Sequence, residues 1–122
     1  MHSEIHWGAV LIGTVAGVGG VAIPIGILLL LGVADTTTFG GQIVLILLGF
    51  VGQFLAGHVA ARIALISRAL HGGLAAIALY FVVAVISIAA GEEPGIVALA
   101  FGALVALVMG TAAGVLVEAR YR

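Results

Sequence analysis

Two histidines flank a short basic connection in this sequence and are the residues best suited to chemistry. His58 lies four residues before Arg62, and His71 lies three residues after Arg68. If the connection joins two antiparallel helices, both imidazoles lie at a similar depth near one membrane surface. Imidazole can ligate a haem or a chlorin and can relay protons. The pair therefore has two interpretations, which are cofactor binding through His58 or His71 and a structural role near the interface.

A metal ion is not expected at this pair. Two imidazoles without a carboxylate or thiolate make a poor metal site. The chain has no cysteine, so a thiolate ligand is excluded. We accordingly predict no metal and no resident cofactor, with haem or chlorin as the alternative.

Gln53 is the second candidate, because polar side chains inside a membrane span are often functional. It stands within a long apolar stretch and shares a helical face with Gly49, Ala56 and Gly57, so it should point toward other helices and away from lipid. The amide could line a pore or hold a solute. It could equally donate a hydrogen bond between helices, worth about 1 kcal/mol in such settings.

The composition indicates a membrane protein. The 122 residues are 64% hydrophobic and 7% charged, with a mean hydropathy of +1.41. A soluble domain needs many more charges on its surface, so lipid must surround most of this chain. The net charge of -1 gives no reason to expect nucleic acid as a partner.

Four apolar stretches are long enough to cross a bilayer, which takes about 20 residues. They cover residues 7–33, 40–61, 69–90 and 95–117 of a single domain, 1–122. Backbone groups in lipid must be paired internally, which favours helices. Short connections make neighbouring helices antiparallel. The sequence therefore predicts an all-α polytopic membrane protein, with four transmembrane helices arranged as two antiparallel hairpins.

The arginines predict the orientation. Lysine is absent, and all basic residues lie in the second connection or near the C-terminus, at Arg62, Arg68, Arg120 and Arg122. With four spans these positions share one face with the N-terminus. The positive-inside rule makes that face cytoplasmic. We expect a protein of the cell inner membrane with both termini in the cytoplasm.

Small residues at four-residue spacing recur along the spans and predict close helix packing. The positions singled out are Gly13, Gly17, Gly49, Gly57, Gly102, Ala106, Gly110 and Gly114. Every span has such a stripe, more than four helices need among themselves, which favours self-association or a larger membrane complex. Pro24 removes a hydrogen bond within the first span and is interpreted either as a hinge or as a packed kink.

One segment resembles a known kind of protein. Residues 55–62, which read LAGHVAAR, precede residues 69–75, which read ALHGGLA. Together they are similar to a pattern in small prokaryotic four-helix membrane proteins of uncharacterised activity. The resemblance implies a bacterial four-helix membrane fold and no particular chemistry.

The functional expectation is a small integral membrane scaffold or an accessory subunit. One alternative is an oligomeric channel or carrier for a small neutral solute, using Gln53 and Pro24. Another is a cofactor-holding subunit of an electron-transfer or light-harvesting complex. No grouping of serine, histidine and an acid supports a hydrolase, so we do not expect an enzyme. The predicted partners are the lipid bilayer and other membrane subunits or further copies of the chain.

Overall fold

A computed structural model describes residues 5–32, 39–89, 91, 93 and 95–121. It contains the helices α1 (Trp7–Leu30), α2 (Phe39–Ile63), α3 (Arg68–Ala89) and α4 (Ile96–Arg120). All four are long and apolar enough to cross a membrane. This confirms an all-helical chain with four candidate membrane spans, and the described residues include no strand.

The helix boundaries follow the apolar stretches closely, and each helix begins within one residue of its predicted start. The largest differences are at the ends. α1 ends at Leu30 rather than at residue 33, because Gly32 adopts a φ of 70°, a left-handed conformation that glycine accepts readily and that commonly ends a helix. Gly91, with a φ of 97°, follows the end of α3 in the same way. α4 continues past residue 117 to Arg120.

α2 and α3 form the centre of the arrangement. α2 and α3 contact each other, and each of them also packs against both α1 and α4. Within the described part of the chain, α1 and α4 do not touch. The outer surface that this leaves carries long apolar side chains on every helix, including Leu11, Val51, Phe81 and Phe101.

Three helix backbones approach one another at a junction, which we define as Gly57 of α2, Gly72 of α3, and Gly110 and Gly114 of α4. A methyl group added to Gly57 would lie 2.7 Å from the Cα atom of Gly110. One added to Gly110 would collide with the backbone oxygen of Gly72, and one added to Gly114 would lie 2.7 Å from the Cα atom of Ala69. Only glycine permits these approaches between backbones.

The other small residues singled out from the sequence fall into three environments. Gly13 and Gly17 face α2, where added methyl groups would lie 2.7 and 2.8 Å from the Cβ atoms of Ala60 and Ala56. Gly102 faces the ring of Tyr80, and Ala106 is fully buried. Gly49 differs, because a methyl group there would meet no atom of the described residues within 4 Å. Its inclusion among the packing residues has no contact to support it.

Pro24 lies inside α1, and the helix continues on both sides of it. Its ring lacks the N–H that would complete the helical hydrogen bond. The interpretation of Pro24 as a hinge stays a prediction.

The packing predicts opposite effects on stability when alanine replaces Gly110, inside the junction, and Gly49, outside it. Gly110→Ala should destabilise the protein by about 1–3 kcal/mol, the usual cost of inserting a methyl group into tight packing. Gly49→Ala should be neutral or stabilising by up to about 1 kcal/mol, because alanine is the better helix former and the site has room. Thermal unfolding of the two variants in the same mild detergent measures both effects. Equal unfolding temperatures for the two variants would contradict the packing described above.

Candidate functional site

His71 is the most constrained polar residue of the described chain. Its side chain is 0% exposed. The backbone N–H of His6 donates to Nε2 of His71 at 2.8 Å, so Nε2 must be the unprotonated nitrogen. Nδ1 therefore carries the proton and donates it to the Ser67 carbonyl oxygen at 2.8 Å. Both ring nitrogens are engaged, and the imidazole is held in one neutral tautomer.

His6 is the residue that links α1 to this site. Its own Nδ1 accepts a hydrogen bond of 3.0 Å from the Ala9 N–H, which caps the start of α1 at Trp7. The cap holds the His6 backbone N–H in position for His71. Sequence reasoning missed His6, because Ser, Thr, Asp and Asn are the usual capping residues. Its place directly before the first apolar stretch was the only available signal.

Arg68 begins α3 and contacts the ends of both α2 and α4. From the first residue of α3 it donates to the Ala61 carbonyl oxygen of α2 at 2.9 Å. Its guanidinium also lies over the Tyr121 ring, 4.3 Å from the centroid, directly after the end of α4. A cation over an aromatic face is attracted by the ring quadrupole. The basic end of the bundle is therefore fixed by contacts to backbone and ring.

The structure pairs His71 with His6 and not with His58. His58 is half-buried in α2, with the charges of Arg62 and Arg120 nearby. The described residues contain no group of three His, Cys, Asp or Glu side chains able to hold a metal ion. For His71 to ligate a haem or chlorin it would have to give up one of its two hydrogen bonds. Cofactor binding through His58 or His71 stays a prediction.

Two further polar side chains inside the spans also hold helices together. The Thr14 hydroxyl donates to the Val10 carbonyl oxygen at 2.8 Å, and the Ala75 carbonyl oxygen of α3 lies 3.4 Å away. The Tyr80 hydroxyl donates to the Leu99 carbonyl oxygen of α4 at 2.9 Å. Both groups satisfy backbone oxygens that water cannot reach in a bilayer.

Gln53 is the exception. Its Oε1 atom is buried and has no hydrogen-bond partner among the described residues. The side chain borders a cavity of about 620 Å³ between α1, α2 and α3. The sequence prediction that Gln53 faces other helices agrees with this placement. The interhelical hydrogen bond considered for it would be donated by the amide nitrogen and stays a prediction.

Comparisons of the chain with protein-family models, with curated proteins and with solved structures found no significant match. The resemblance to small prokaryotic four-helix membrane proteins therefore stays a prediction.

The contacts of His71 predict a structural role that can be measured. His71→Leu keeps a side chain of similar size but leaves the His6 N–H without its acceptor, so stability should fall by about 1–3 kcal/mol. His58→Leu, at a half-buried position with no comparable pair of bonds, should change stability by only about 0.5 kcal/mol. Thermal unfolding in mild detergent compares the two variants.

A cofactor role for His71 would give a different result. The natively purified protein would then absorb visible light, and His71→Gln would lose that absorption while the helical content stayed unchanged. This outcome would contradict the structural role, because glutamine keeps hydrogen-bonding ability but is a poor substitute for an imidazole ligand.

Proposed function

We propose that this chain is a small integral membrane scaffold or accessory subunit, built from two antiparallel hairpins, α1–α2 and α3–α4. The order of contacts supports the hairpins. Along α1, Gly13 faces Ala60 of α2, whereas Gly17, one turn later, faces Ala56. Along α3, Gly73 faces Thr111 and Tyr80 faces Gly102. In both pairs the residue numbers rise on one helix and fall on the other.

The lipid bilayer is the first partner in this proposal. Large apolar side chains are exposed on all four helices, for example Ile23 on α1, Ile46 on α2, Val85 on α3 and Leu104 on α4. Water would strongly disfavour so much contiguous apolar surface. Lipid tails accept it without cost, and the lengths of the helices suit a core of about 30 Å.

The observation that carries a structural role is how the polar side chains are used. Four polar side chains each have a backbone atom outside their own helix within 2.8–3.4 Å, and these are His71, Thr14, Tyr80 and Arg68. Their donors and acceptors serve the assembly of helices. A catalytic group must be free to exchange protons or electrons with a substrate. We accordingly propose no enzymatic activity.

A second candidate function is a carrier or channel for a small neutral solute. The observation that favours it is the unpaired oxygen of Gln53 beside a cavity. Polar groups that are costly to keep in a membrane commonly serve transport or binding. The hinge interpretation of Pro24 belongs to this candidate.

We propose that one face of α1 associates with a further membrane helix. The junction and the contacts of Gly13 and Gly17 use small residues within one chain. Gly19 and Gly26 of α1 are not used in this way, since a methyl group on either would meet no atom of the described residues within 4 Å. Seven residues apart, they share one face of α1, which can admit a further helix closely. That helix would belong to a second copy of the chain or to another subunit.

The association predicts a selective effect of Gly19→Leu. The larger side chain should hold a partner helix away and abolish the complex, while the monomer keeps its unfolding temperature because the site is open. Size-exclusion chromatography with light scattering in mild detergent measures the complex. Ala112→Leu, an equally small-to-large change on the exposed surface of α4, is the matched control and should leave it intact. A wild-type protein that is monomeric in lipid nanodiscs and without co-purifying subunits would contradict the proposal.

The orientation is tested independently. We propose that both termini are cytoplasmic, because Arg62 and Arg68 flank the α2–α3 connection and Arg120 ends α4 on the same side. The chain has no cysteine, so one introduced cysteine gives an unambiguous label. In intact bacterial cells a membrane-impermeant maleimide should modify Glu93→Cys and should spare Leu65→Cys until the membrane is opened. The reverse pattern would invert the orientation, and equal labelling of both positions would contradict the number of spans.

A further inference from the structure

The cavity between α1, α2 and α3 has the size and the lining of a small-molecule site. Its volume is about 620 Å³, and ligand sites typically measure about 300–1,000 Å³. Most of its wall is aliphatic, with Val21 and Leu45 as examples, and Gln53, Tyr80 and Ser87 provide its polar groups. Binding sites for small molecules commonly combine an apolar wall with a few polar groups.

The cavity begins where close packing ends. Gly52 of α2 is in contact with the Val21 side chain of α1, and a methyl group there would collide with it. A methyl group added to Gly49, almost one turn away along α2, would have no atom of the described residues within 4 Å. Leu79, which is 2% exposed, packs near Gly17 and forms part of the wall. The cavity therefore lies beside the point where the close contact of Gly52 with Val21 ends.

Gln53 gives the cavity its chemical preference. An unpaired buried carbonyl oxygen costs about 1–3 kcal/mol, and Oε1 of Gln53 has no partner among the described residues. Tyr80 adds no donor, because its hydroxyl proton is given to the Leu99 carbonyl oxygen. The last torsion of a glutamine side chain is broad, so a small rotation can turn the oxygen toward a ligand. The unpaired group on the wall is therefore an acceptor, Oε1 of Gln53, for which a ligand can supply the donor.

We propose that this cavity binds a neutral, mostly apolar amphiphile with one hydroxyl group, whose proton is accepted by Oε1 of Gln53. The residues that line the cavity carry no charge, and an unpaired ionised ligand would be costly there. An apolar body fills the space beside Gly49 and the aliphatic wall. This inference goes beyond the structural role and does not depend on association through α1.

The test uses a photoreactive long-chain alcohol and its methyl ether, with the full chain in phospholipid nanodiscs. The two probes differ in the hydroxyl proton. The alcohol should label α2 and α3 saturably around Gly49 and Gln53, with an affinity about fivefold higher than that of the ether, the ratio expected for one hydrogen bond. Mass spectrometry of the digested protein locates the labels.

Three variants separate the contributions. Gln53→Leu should bring the alcohol-to-ether ratio to about one, because the acceptor is gone. Gly49→Leu should remove saturable labelling by both probes, because leucine occupies the space. Gly40→Leu, at another α2 glycine where an added methyl group would have no described atom within 4 Å, is the matched control and should leave both probes unaffected.

The proposal is overturned if the wild-type protein shows equal affinities for alcohol and ether, or if labelling is unsaturable and spread over lipid-facing positions. It is also overturned if folded Gly49→Leu protein binds the alcohol as the wild type does. The comparison of the two probes on the wild-type protein tests the proposed binding site even if a variant fails to fold. Loss of the complex in Gly19→Leu with unchanged labelling would show that binding and association are separate properties.

Discussion

The close approach of three helix backbones at the junction is the constraint on which the rest of the structure depends. In lipid, helices gain nothing from hydrophobic burial against one another, so van der Waals contact at short range has to hold them. Gly57, Gly72 and Gly110 provide it, since a methyl group on any of them would reach backbone atoms of a neighbouring helix. The junction fixes α2, α3 and α4 relative to one another. α1 is then added through Gly13 and Gly17, which face α2.

Polar contacts at the same end of the bundle complete this arrangement. Arg68 and His71 lie in the first turn of α3. The backbone of the same turn, at Arg68 and Ala69, lies against Gly114 of α4. Their bonds to Ala61 and His6 connect α3 with the end of α2 and the start of α1. Such bonds are modest individually, but a buried partner left unpaired is costly in lipid. Glycine contacts thus bring the helices together, and the polar bonds exclude alternative registers.

Part of this could be predicted from the sequence. Long apolar stretches and short connections gave the helices and their starts, because the cost of exposing polar groups to lipid is large and local. Four-residue spacing included Gly57 and Gly110, where an added methyl group would meet a neighbouring backbone. The same spacing includes Gly49, which faces open space, because spacing defines a face of one helix and not what stands opposite. The pairing of His71 with His6 spans 65 residues, and nothing local encodes it. The similar distances of His58 and His71 from the connection suggested that these two histidines pair.

Gln53 shows how the packing determines the chemistry of the interior. His71, Thr14 and Tyr80 find backbone partners because neighbouring helices lie close to them. The Oε1 atom of Gln53 has no such partner among the described residues, since its side chain borders the cavity between α1, α2 and α3. The unpaired oxygen and the empty volume therefore have one cause. A hydroxyl-bearing apolar molecule would remove both costs at once, whereas water would satisfy the oxygen but leave the aliphatic wall poorly filled. That difference is why the cavity favours an amphiphile over water or an ion.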